Sequence, residues 1–398
     1  MFFARVRKIV MWLLSIAVVI LLLHTLSALD VIFGVRSMTD IKNIPPIKDG
    51  KGPLVSVIIP ACNEGEQIEV AISALLMQNY KNLEIIAVND RSSDDTGMIL
   101  DRLKADNGCL SVIHISDLPP GWLGKTHAMH VGAAEANGTY LLFTDGDVTM
   151  APTTISRSVH RMQTKQLDHL TILFKNSSTN WLLNSLILDA GLGLVQLLRV
   201  WRAKDTSSHH FVGVGAFNMV CQKMYADIGG HESFKTHPID DIMLGKVIKR
   251  SGGAQECLLG HGMVTLPWYA SVADMVNGLM KNCLGVINFR FVLLVPLILT
   301  MIALNVLPLW AFFLFDGAIR VVFGMVLIAK LLPALLGARL LGLSSWCSLG
   351  TLISPYILVY TMLRAAWRIW RDGGIYWRLT FYPLSYLKNN ESILFLRR

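Results

Sequence analysis

Carboxylate side chains that could do chemistry occur in three places along the chain: at Asp90, at Asp145 with Asp147, and at Asp240 with Asp241. In Asp145-Gly-Asp147, the two carboxylates lie so close that they repel each other unless a cation lies between them. A divalent metal with oxygen ligands suits such a pair and could also bind a diphosphate. The alternative is a simple tight turn, because Asp-Gly is common in turns.

Asp240 and Asp241 follow Pro238 and precede an amphipathic run, 242–248. Either carboxylate could cap a helix that begins here, because the N-terminal end of a helix favours negative charge. In a partly dry crevice, however, a carboxylate beside a like-charged neighbour has a raised pKa and can take a proton from an alcohol. The pair therefore offers a candidate general base, with a helix cap as the alternative.

Lys125 ends a rigid, glycine-punctuated loop, Leu-Pro-Pro-Gly-Trp-Leu-Gly-Lys, at residues 118–125. A helix is predicted to begin just there, and the free N–H groups of a helix N-terminus bind phosphates. Lys125 could therefore meet a phosphate, and the alternative is an ordinary surface lysine.

Short apolar runs that end just before these polar residues predict buried strands. The predicted strands are Leu54–Pro60, Leu83–Val88, Leu110–Ile115 and Tyr140–Thr144, and the predicted helices between them are Glu66–Gln78, Thr96–Ala105 and His127–Ala136. This alternation predicts an α/β domain with a mainly parallel sheet. Ligands of such sheets bind beyond the carboxyl ends of the strands. Asn63-Glu64, Asp90 and 145–147 should therefore converge on one crevice.

The composition indicates a chain that is partly membrane-embedded and partly aqueous. Of 398 residues, 53% are hydrophobic and 16% are charged, against about 25% charged in an ordinary soluble domain. This excludes a disordered or wholly soluble protein. The net charge of +8 favours anionic lipid head groups and topology signals over nucleic acid. The six cysteines form no C-x-x-C pair, which favours reduced thiols in a domain that faces the cytosol.

Four long apolar segments are candidates for membrane helices. Ile9–Leu29 is long enough to span a bilayer and reads as a retained anchor, with a cleaved signal peptide as the alternative. After the aqueous middle come Phe291–Phe315, a weaker Val321–Leu343, and Trp346–Trp367. The tail 364–398 carries seven Arg/Lys and two Asp/Glu, so the positive-inside rule predicts that it is cytoplasmic. Three full spans after a cytoplasmic domain would place it outside, and the sequence leaves this conflict open.

The apolar stretch Trp181–Trp201 needs a separate interpretation. As a membrane span, it would place Asp145 and Asp241 on opposite sides of the bilayer. We therefore interpret it as an interfacial helix, with a buried core helix as the alternative. The predicted domains are an N-terminal anchor at 1–35, a catalytic domain at 53–285, a C-terminal transmembrane region at 290–370 and a basic tail at 371–398.

Four motifs occur in order along the aqueous domain: Val55–Glu64, Val88–Thr96, Thr144–Asp147 and Ile239–Asp241. This ordered set resembles glycosyltransferase family 2, whose domain has the nucleotide-diphospho-sugar transferase fold of GT-A type, over about residues 53–285. The loop 118–125, together with the flanking spans, is similar to the hopene-associated glycosyltransferases and related enzymes that glycosylate lipids.

The resemblance implies a role for each matching residue. Residues that would line the nucleotide-sugar pocket are Pro60, Ala61, Asn63, Glu64, Asp90, Lys125 and Asp145. Asp145 and Asp147 would hold Mg²⁺ or Mn²⁺ against the diphosphate. Asp241 would be the base, with Asp240 beside it. The chain departs from the family at Asn89, where Asp is usual, and at Asp240, where Glu is usual.

The function that we expect from the resemblance is that of an inverting glycosyltransferase bound to the cell (inner) membrane by several spans, with its catalytic domain in the cytoplasm. Its donor would be a nucleotide sugar, with UDP favoured, and its acceptor a hydroxyl on a lipid of the bilayer. Trp268, Tyr269, Lys281 and Asn282 are candidate acceptor contacts.

Two other functions stay open. A processive polysaccharide synthase is disfavoured because the Gln-x-x-Arg-Trp motif is missing after Asp241. A non-catalytic membrane scaffold with a transferase-like domain is disfavoured because the carboxylates Asp90, Asp145, Asp147 and Asp241 are all present.

Overall fold

The computed structural model describes residues 2–48, 51–378, 380–388 and 390–393. The strands are β1 (Val55–Ala61), β2 (Leu83–Asp90), β3 (Leu110–Ile115), β4 (Tyr140–Phe143), β5 (Thr149–Met150), β6 (His169–Leu173), β7 (Lys175–Asn176), β8 (Asn218–Cys221), β9 (Gln255–Leu259), β10 (Val264–Leu266), β11 (Gly374–Trp377) and β12 (Thr380–Pro383). The helices are α1 (Phe2–Arg36), α2 (Ile68–Leu76), α3 (Thr96–Asp106), α4 (Gly124–Ala134), α5 (Thr154–Lys165), α6 (Trp181–Leu198), α7 (Gln222–Asp227), α8 (Asp240–Arg250), α9 (Val272–Val286), α10 (Phe291–Met301), α11 (Leu307–Leu314), α12 (Gly317–Leu340), α13 (Cys347–Gly350), α14 (Ser354–Asp372) and α15 (Leu384–Lys388).

The central sheet has seven strands in the order β3-β2-β1-β4-β8-β6-β9. β1 pairs in parallel with both β2 and β4, and β2 pairs in parallel with β3. β8 runs antiparallel to β4 and β6, while β6 and β9 are parallel. The predicted α/β domain with a mainly parallel sheet is therefore confirmed, with β8 as its reversed strand.

Strands β1 to β4 lie close to the predicted strands. Apolar runs predict them well because most of these strands are buried on both faces of the sheet. Val57 and Ile58 of β1 and Leu142 of β4 are fully buried, as expected for parallel strands that helices cover on both sides. β2 is longer than predicted and includes Asn89 and Asp90. Both side chains therefore lie at the last strand positions and not in the following turn.

Helix α6 corresponds to the apolar stretch at Trp181–Trp201. The strands that precede and follow it, β6 and β8, pair with each other in one sheet. A single membrane crossing by α6 would separate these strands, so α6 lies on the same side as the sheet. Its end is tied to α1, because Arg199 forms a 2.9 Å ion pair with Asp30.

Within the described residues, four helical stretches are long and apolar enough to cross a membrane: 7–36, 181–202, 291–314 and 317–340. The first, third and fourth correspond to α1, α10–α11 and α12, and α1 packs along α12. Large apolar side chains on α1, including Trp12 and Leu26, are exposed, as a helix in lipid requires.

The expected third span at Trp346–Trp367 is not among these candidates. The segment is divided into the short α13 and the amphipathic α14, and α14 packs against α9 of the aqueous domain. The chain thus leaves that domain at α10 and returns at the end of α12. If α10–α11 and α12 each cross a membrane once, the basic tail lies on the same side as the sheet, in agreement with the positive-inside rule.

Candidate active site

A cavity of about 940 Å³ opens at the carboxyl ends of β1, β2 and β4. Its lining includes most of the predicted site residues: Pro60, Ala61, Glu64, Asp90, Lys125, Asp145, Asp147, Asp240 and Asp241. These residues are up to 181 positions apart in sequence. The sheet topology brings them together, as expected for ligand sites of parallel sheets.

Gly215 lies at the centre of the charged cluster. A Cβ on this residue would lie 3.1 Å from Asp145 Oδ2, 3.3 Å from Asp241 Oδ2 and 3.7 Å from Lys125 Nζ. The Gly215 N–H donates a 2.9 Å hydrogen bond to Asp241 Oδ2. A residue without a side chain therefore allows the carboxylate after β4 and the carboxylate of α8 to approach each other.

Lys125, in the first turn of α4, neutralises part of this negative charge. Its Nζ lies 2.6 Å from Asp145 Oδ1 and 3.7 Å from Asp240 Oδ2. Although burial opposes it, the attraction of Asp145, Asp240 and Asp241 raises the pKa of Lys125. The lysine is thus a fixed cation between the carboxylates and not an ordinary surface lysine.

Asp241 has the properties of a general base. Burial, and then the adjacent charge of Asp240, raise its pKa to about 6, against the opposing effect of Lys125. Its Oδ1 accepts a 2.8 Å hydrogen bond from the N–H of Ile242. The helix-cap alternative fits less well, because α8 begins after Ile239 and has no side-chain cap.

Asp147 provides the test of whether a metal fits. Its Oδ1 is buried and has no hydrogen-bond partner among the described residues. Burial, and then the charges of Asp145 and Glu64, raise its pKa to about 7. A divalent cation would satisfy this orphaned oxygen and relieve the repulsion between the carboxylates.

The described residues include no group of three or more His, Cys, Asp or Glu side chains arranged to hold a metal. A cation here would therefore depend on Asp145, Asp147 and ligands from a bound diphosphate. Mg²⁺ in particular often binds through one or two carboxylates together with substrate phosphates. The donor set fits the predicted Mg²⁺ or Mn²⁺ in that shared form.

Asn63 and Asn89 form hydrogen bonds within the protein. Asn63 is absent from the described cavity lining, and its side-chain oxygen instead accepts a hydrogen bond from the Ser93 N–H at 2.8 Å. Asn89, the departure from the usual family residue, bonds to His114 at 3.0 Å. Asn63 therefore links the loops after β1 and β2, whereas Asn89 links strands β2 and β3.

Arginine side chains that sequence reasoning missed also line the pocket. Arg91 holds Asp90 in a two-point ion pair, with contacts of 2.7 and 3.0 Å. Arg378 forms an ion pair with Glu64 and donates a 2.9 Å hydrogen bond to the Cys62 carbonyl. Arg91 follows Asp90 directly, so its sequence position could have suggested it. Arg378 lies more than 300 residues from its partners in sequence and is not part of a motif.

Arg378 belongs to a C-terminal hairpin, formed by β11 and β12, that covers the pocket. Arg91 Nη1 donates a 3.1 Å hydrogen bond to Thr380 Oγ1, and the Gly124 N–H donates one of 3.0 Å to the Tyr382 hydroxyl. The hairpin therefore joins the loops after β1 and β2 to the start of α4.

The candidate acceptor contacts Trp268, Tyr269, Lys281 and Asn282 all line the same cavity. Trp268 and Tyr269 stack with ring centroids 5.4 Å apart. Lys281 Nζ lies 3.5 Å from the centre of the Trp377 ring. Burial, and then repulsion from Lys125, lower the pKa of Lys281 to about 7.

Part of the chain is similar to known glycosyltransferases. Residues 56–221 match the model of the family described as glycosyl transferase family 2. The chain is 33% identical over 115 residues to the UDP-Glc:α-D-GlcNAc-diphosphoundecaprenol β-1,3-glucosyltransferase WfaP of Escherichia coli, which covers 29% of this chain and 43% of that protein. It is 25% identical over 238 residues to the 4,4'-diaponeurosporenoate glycosyltransferase of Staphylococcus haemolyticus, which covers 57% and 60%. Each alignment thus spans less than two thirds of the relative's own length.

A solved structure has a similar fold. The mannosyltransferase PcManGT from Pyrobaculum calidifontis, in complex with GDP-Man and Mn²⁺, aligns with a TM-score of 0.53 at 18% identity, over 89% of this chain and 99% of that one. The likeness establishes the fold, and it confirms the predicted nucleotide-diphospho-sugar transferase type.

Proposed function

We propose, on the premise that residues 56–221 match glycosyl transferase family 2, that the protein transfers a sugar from a nucleotide sugar to a hydroxyl group of a membrane lipid. The observation that carries the proposal is the single cavity in which Asp145 and Asp147 lie beside Asp241 and Lys125. Two carboxylates that could share a metal with a diphosphate and a carboxylate with a raised pKa thus face the same space. Such a site can hold a charged donor and deprotonate an acceptor at once.

On the donor side, Pro60, Ala61 and Glu64 would contact the nucleoside, together with Asp90. Asp145 and Asp147 would hold Mg²⁺ or Mn²⁺, which supplies stabilisation of the negative charge that develops on the departing diphosphate. Lys125 supplies a further fixed positive charge beside Asp145 at 2.6 Å. A UDP-linked sugar is the donor that we favour.

On the acceptor side, Asp241 would remove the proton from the lipid hydroxyl. The deprotonated oxygen attacks the anomeric carbon, the bond from that carbon to the diphosphate breaks, and the nucleoside diphosphate leaves. A single displacement of this kind inverts the anomeric configuration. The hydrogen bonds from Gly215 and Ile242 orient Asp241 for this step.

A lipid acceptor is supported by the apolar helices α1, α10–α11 and α12, which would keep the domain at the surface of a membrane. Two relatives are named for diphosphoundecaprenol and diaponeurosporenoate, in agreement with an acceptor of this class. Confinement to a surface would also raise the effective concentration of the acceptor.

Incubation of membranes that contain the protein with a panel of radiolabelled UDP- and GDP-sugars and Mn²⁺ tests this function. We expect label in the organic phase after lipid extraction, with one sugar per lipid. A water-soluble polymer would identify a polysaccharide synthase instead. If no nucleotide sugar is bound or hydrolysed, the domain is a scaffold.

A further inference from the structure

The cavity that contains Asp241 does not end at the carboxylates but continues along one face of α6. Gly191, Leu192 and Val195 line this part of the cavity, whereas Leu188, one turn before them, is buried against α12 and α13. Their spacing of three and four residues places them on one side of the helix. The lining changes from charged to apolar within the same continuous space.

The apolar part of the cavity also reaches the last residues of two candidate membrane spans, α1 and α12. Val35, close to the end of α1, and Leu340, the last residue of α12, both line it. The aqueous domain follows α1 in the chain, and α12 returns to that domain. These two ends therefore lie where the domain meets the membrane, and the cavity connects that level to Asp241.

Gly191 keeps this path open. The residue is half-buried, yet a Cβ added to it would meet no atom within 4 Å, because it faces the cavity. A Cβ added to Gly193, two residues further along α6, would also meet no atom within 4 Å. Gly193 is exposed and does not belong to the cavity lining, so the two glycines form a matched pair on one helix.

We propose that the face of α6 formed by Gly191, Leu192 and Val195 binds the apolar chain of the acceptor lipid, with the hydroxyl end at Asp241. This inference rests on the proposed function and specifies how the acceptor is held. An occupant must be apolar along α6 and carry a nucleophile at one end. A polypeptide segment fits less well, because its backbone N–H and C=O groups would lack partners against an apolar wall.

Photo-crosslinking tests the proposal without requiring turnover. The full-length protein in liposomes is exposed to a hexadecanol that carries a diazirine on its chain, and the labelled residues are mapped by mass spectrometry. We expect labelling of α6 at Leu192 or Val195. Gly191→Leu fills the path and should lower this labelling at least fivefold, whereas Gly193→Leu should leave it unchanged.

A second variant, Val195→Phe, narrows the same path one turn further along and protects the test against a folding defect of Gly191→Leu. Labelling confined to the outer faces of α1 and α10–α12 would overturn the proposal, as would equal labelling in all variants. Crosslinks between two copies of the chain at α6 would also overturn it, because a second protein would then be the occupant.

Hydrolysis of UDP- and GDP-sugars by the wild-type protein is followed in parallel. If α6 is labelled but no donor is hydrolysed, the lipid path stands and the proposed transfer does not. If donors are hydrolysed but α6 is not labelled, the transferase stands and the lipid path does not. The two proposals therefore fail in different measurements.

Discussion

The ammonium group of Lys125 lies 2.6 Å from the carboxylate of Asp145. This ion pair joins the start of α4 to the loop after β4, and it holds a positive charge among the carboxylates that we assign to both donor and base. It makes Lys125 a residue that affects the whole site and not the donor alone.

We predict that Lys125→Met lowers kcat/KM for transfer at least a hundredfold. Without the lysine, donor binding loses a positive charge, and the pKa of Asp241 rises because Lys125 normally lowers it. Measurement of the rate against pH should show the acid limb displaced to higher pH. Lys223→Met removes an exposed lysine of α7 and is the control. An unchanged pH profile for Lys125→Met would contradict the assigned role.

The wild-type pH profile is a separate prediction. Burial and Asp240 raise the pKa of Asp241 to about 6, and a general base is active only when it is deprotonated. Transfer should therefore be maximal above about pH 7 and fall as the pH decreases through about 6. Steady-state kcat/KM between pH 5 and 8 measures this. A flat profile over that range would show that Asp241 is not the base.

Gly215→Ala should lower kcat by about tenfold to a hundredfold while the protein stays folded. The added Cβ would lie 3.1 Å from Asp145 Oδ2 and 3.3 Å from Asp241 Oδ2, so both carboxylates must shift, and misplacement of a catalytic group by about 1 Å can cost about a hundredfold. Gly108→Ala is the control, because its Cβ would meet no atom within 4 Å. Full activity of Gly215→Ala would show that the close approach of these carboxylates is not needed.

Arg378→Ala should weaken UDP binding about tenfold. The change breaks two hydrogen bonds that hold the C-terminal hairpin over the pocket, to Glu64 and to the Cys62 carbonyl, and a hydrogen bond to a charged group contributes about 1.5–3 kcal/mol. Titration calorimetry with UDP and Mn²⁺ measures the affinity. Arg371→Ala is the control, since Arg371 is exposed and pairs only with its neighbour Asp372 among the described ion pairs. Unchanged or tighter binding would mean that the hairpin does not close the donor site.

The sequence predicted the parts of this site that depend on local patterns. β1 to β4 are apolar runs of four to eight residues, and parallel strands place their carboxyl ends at one edge. Together, these two facts predict that Asp90 and Asp145 lie close to each other. Glu64 lines the same edge, whereas Asn63 turns its side chain to Ser93.

The remaining features depend on contacts between distant segments. The hairpin of β11 and β12 has no motif, and its contacts with Cys62, Arg91 and Gly124 cross more than 250 residues. The predicted span at Trp346–Trp367 is not among the candidate spans of the described residues, for a related reason. α14 is amphipathic, and hydropathy alone could not show that its apolar face packs on the distant helix α9.

The most direct measurement compares wild-type protein with Asp241→Asn in liposomes of native membrane lipids, supplied with a radiolabelled nucleotide sugar and Mn²⁺. Asparagine keeps the shape of the side chain and can still accept the hydrogen bond from Gly215, but it cannot take a proton. We predict that label enters the lipid fraction with wild-type protein, and that Asp241→Asn lowers this transfer at least a thousandfold while UDP binds normally. Asp227→Asn, an exposed acid of α7, should behave as wild type. Equal lipid labelling by Asp241→Asn, or loss of its UDP binding, would contradict the assignment of Asp241 as the base that serves a lipid acceptor.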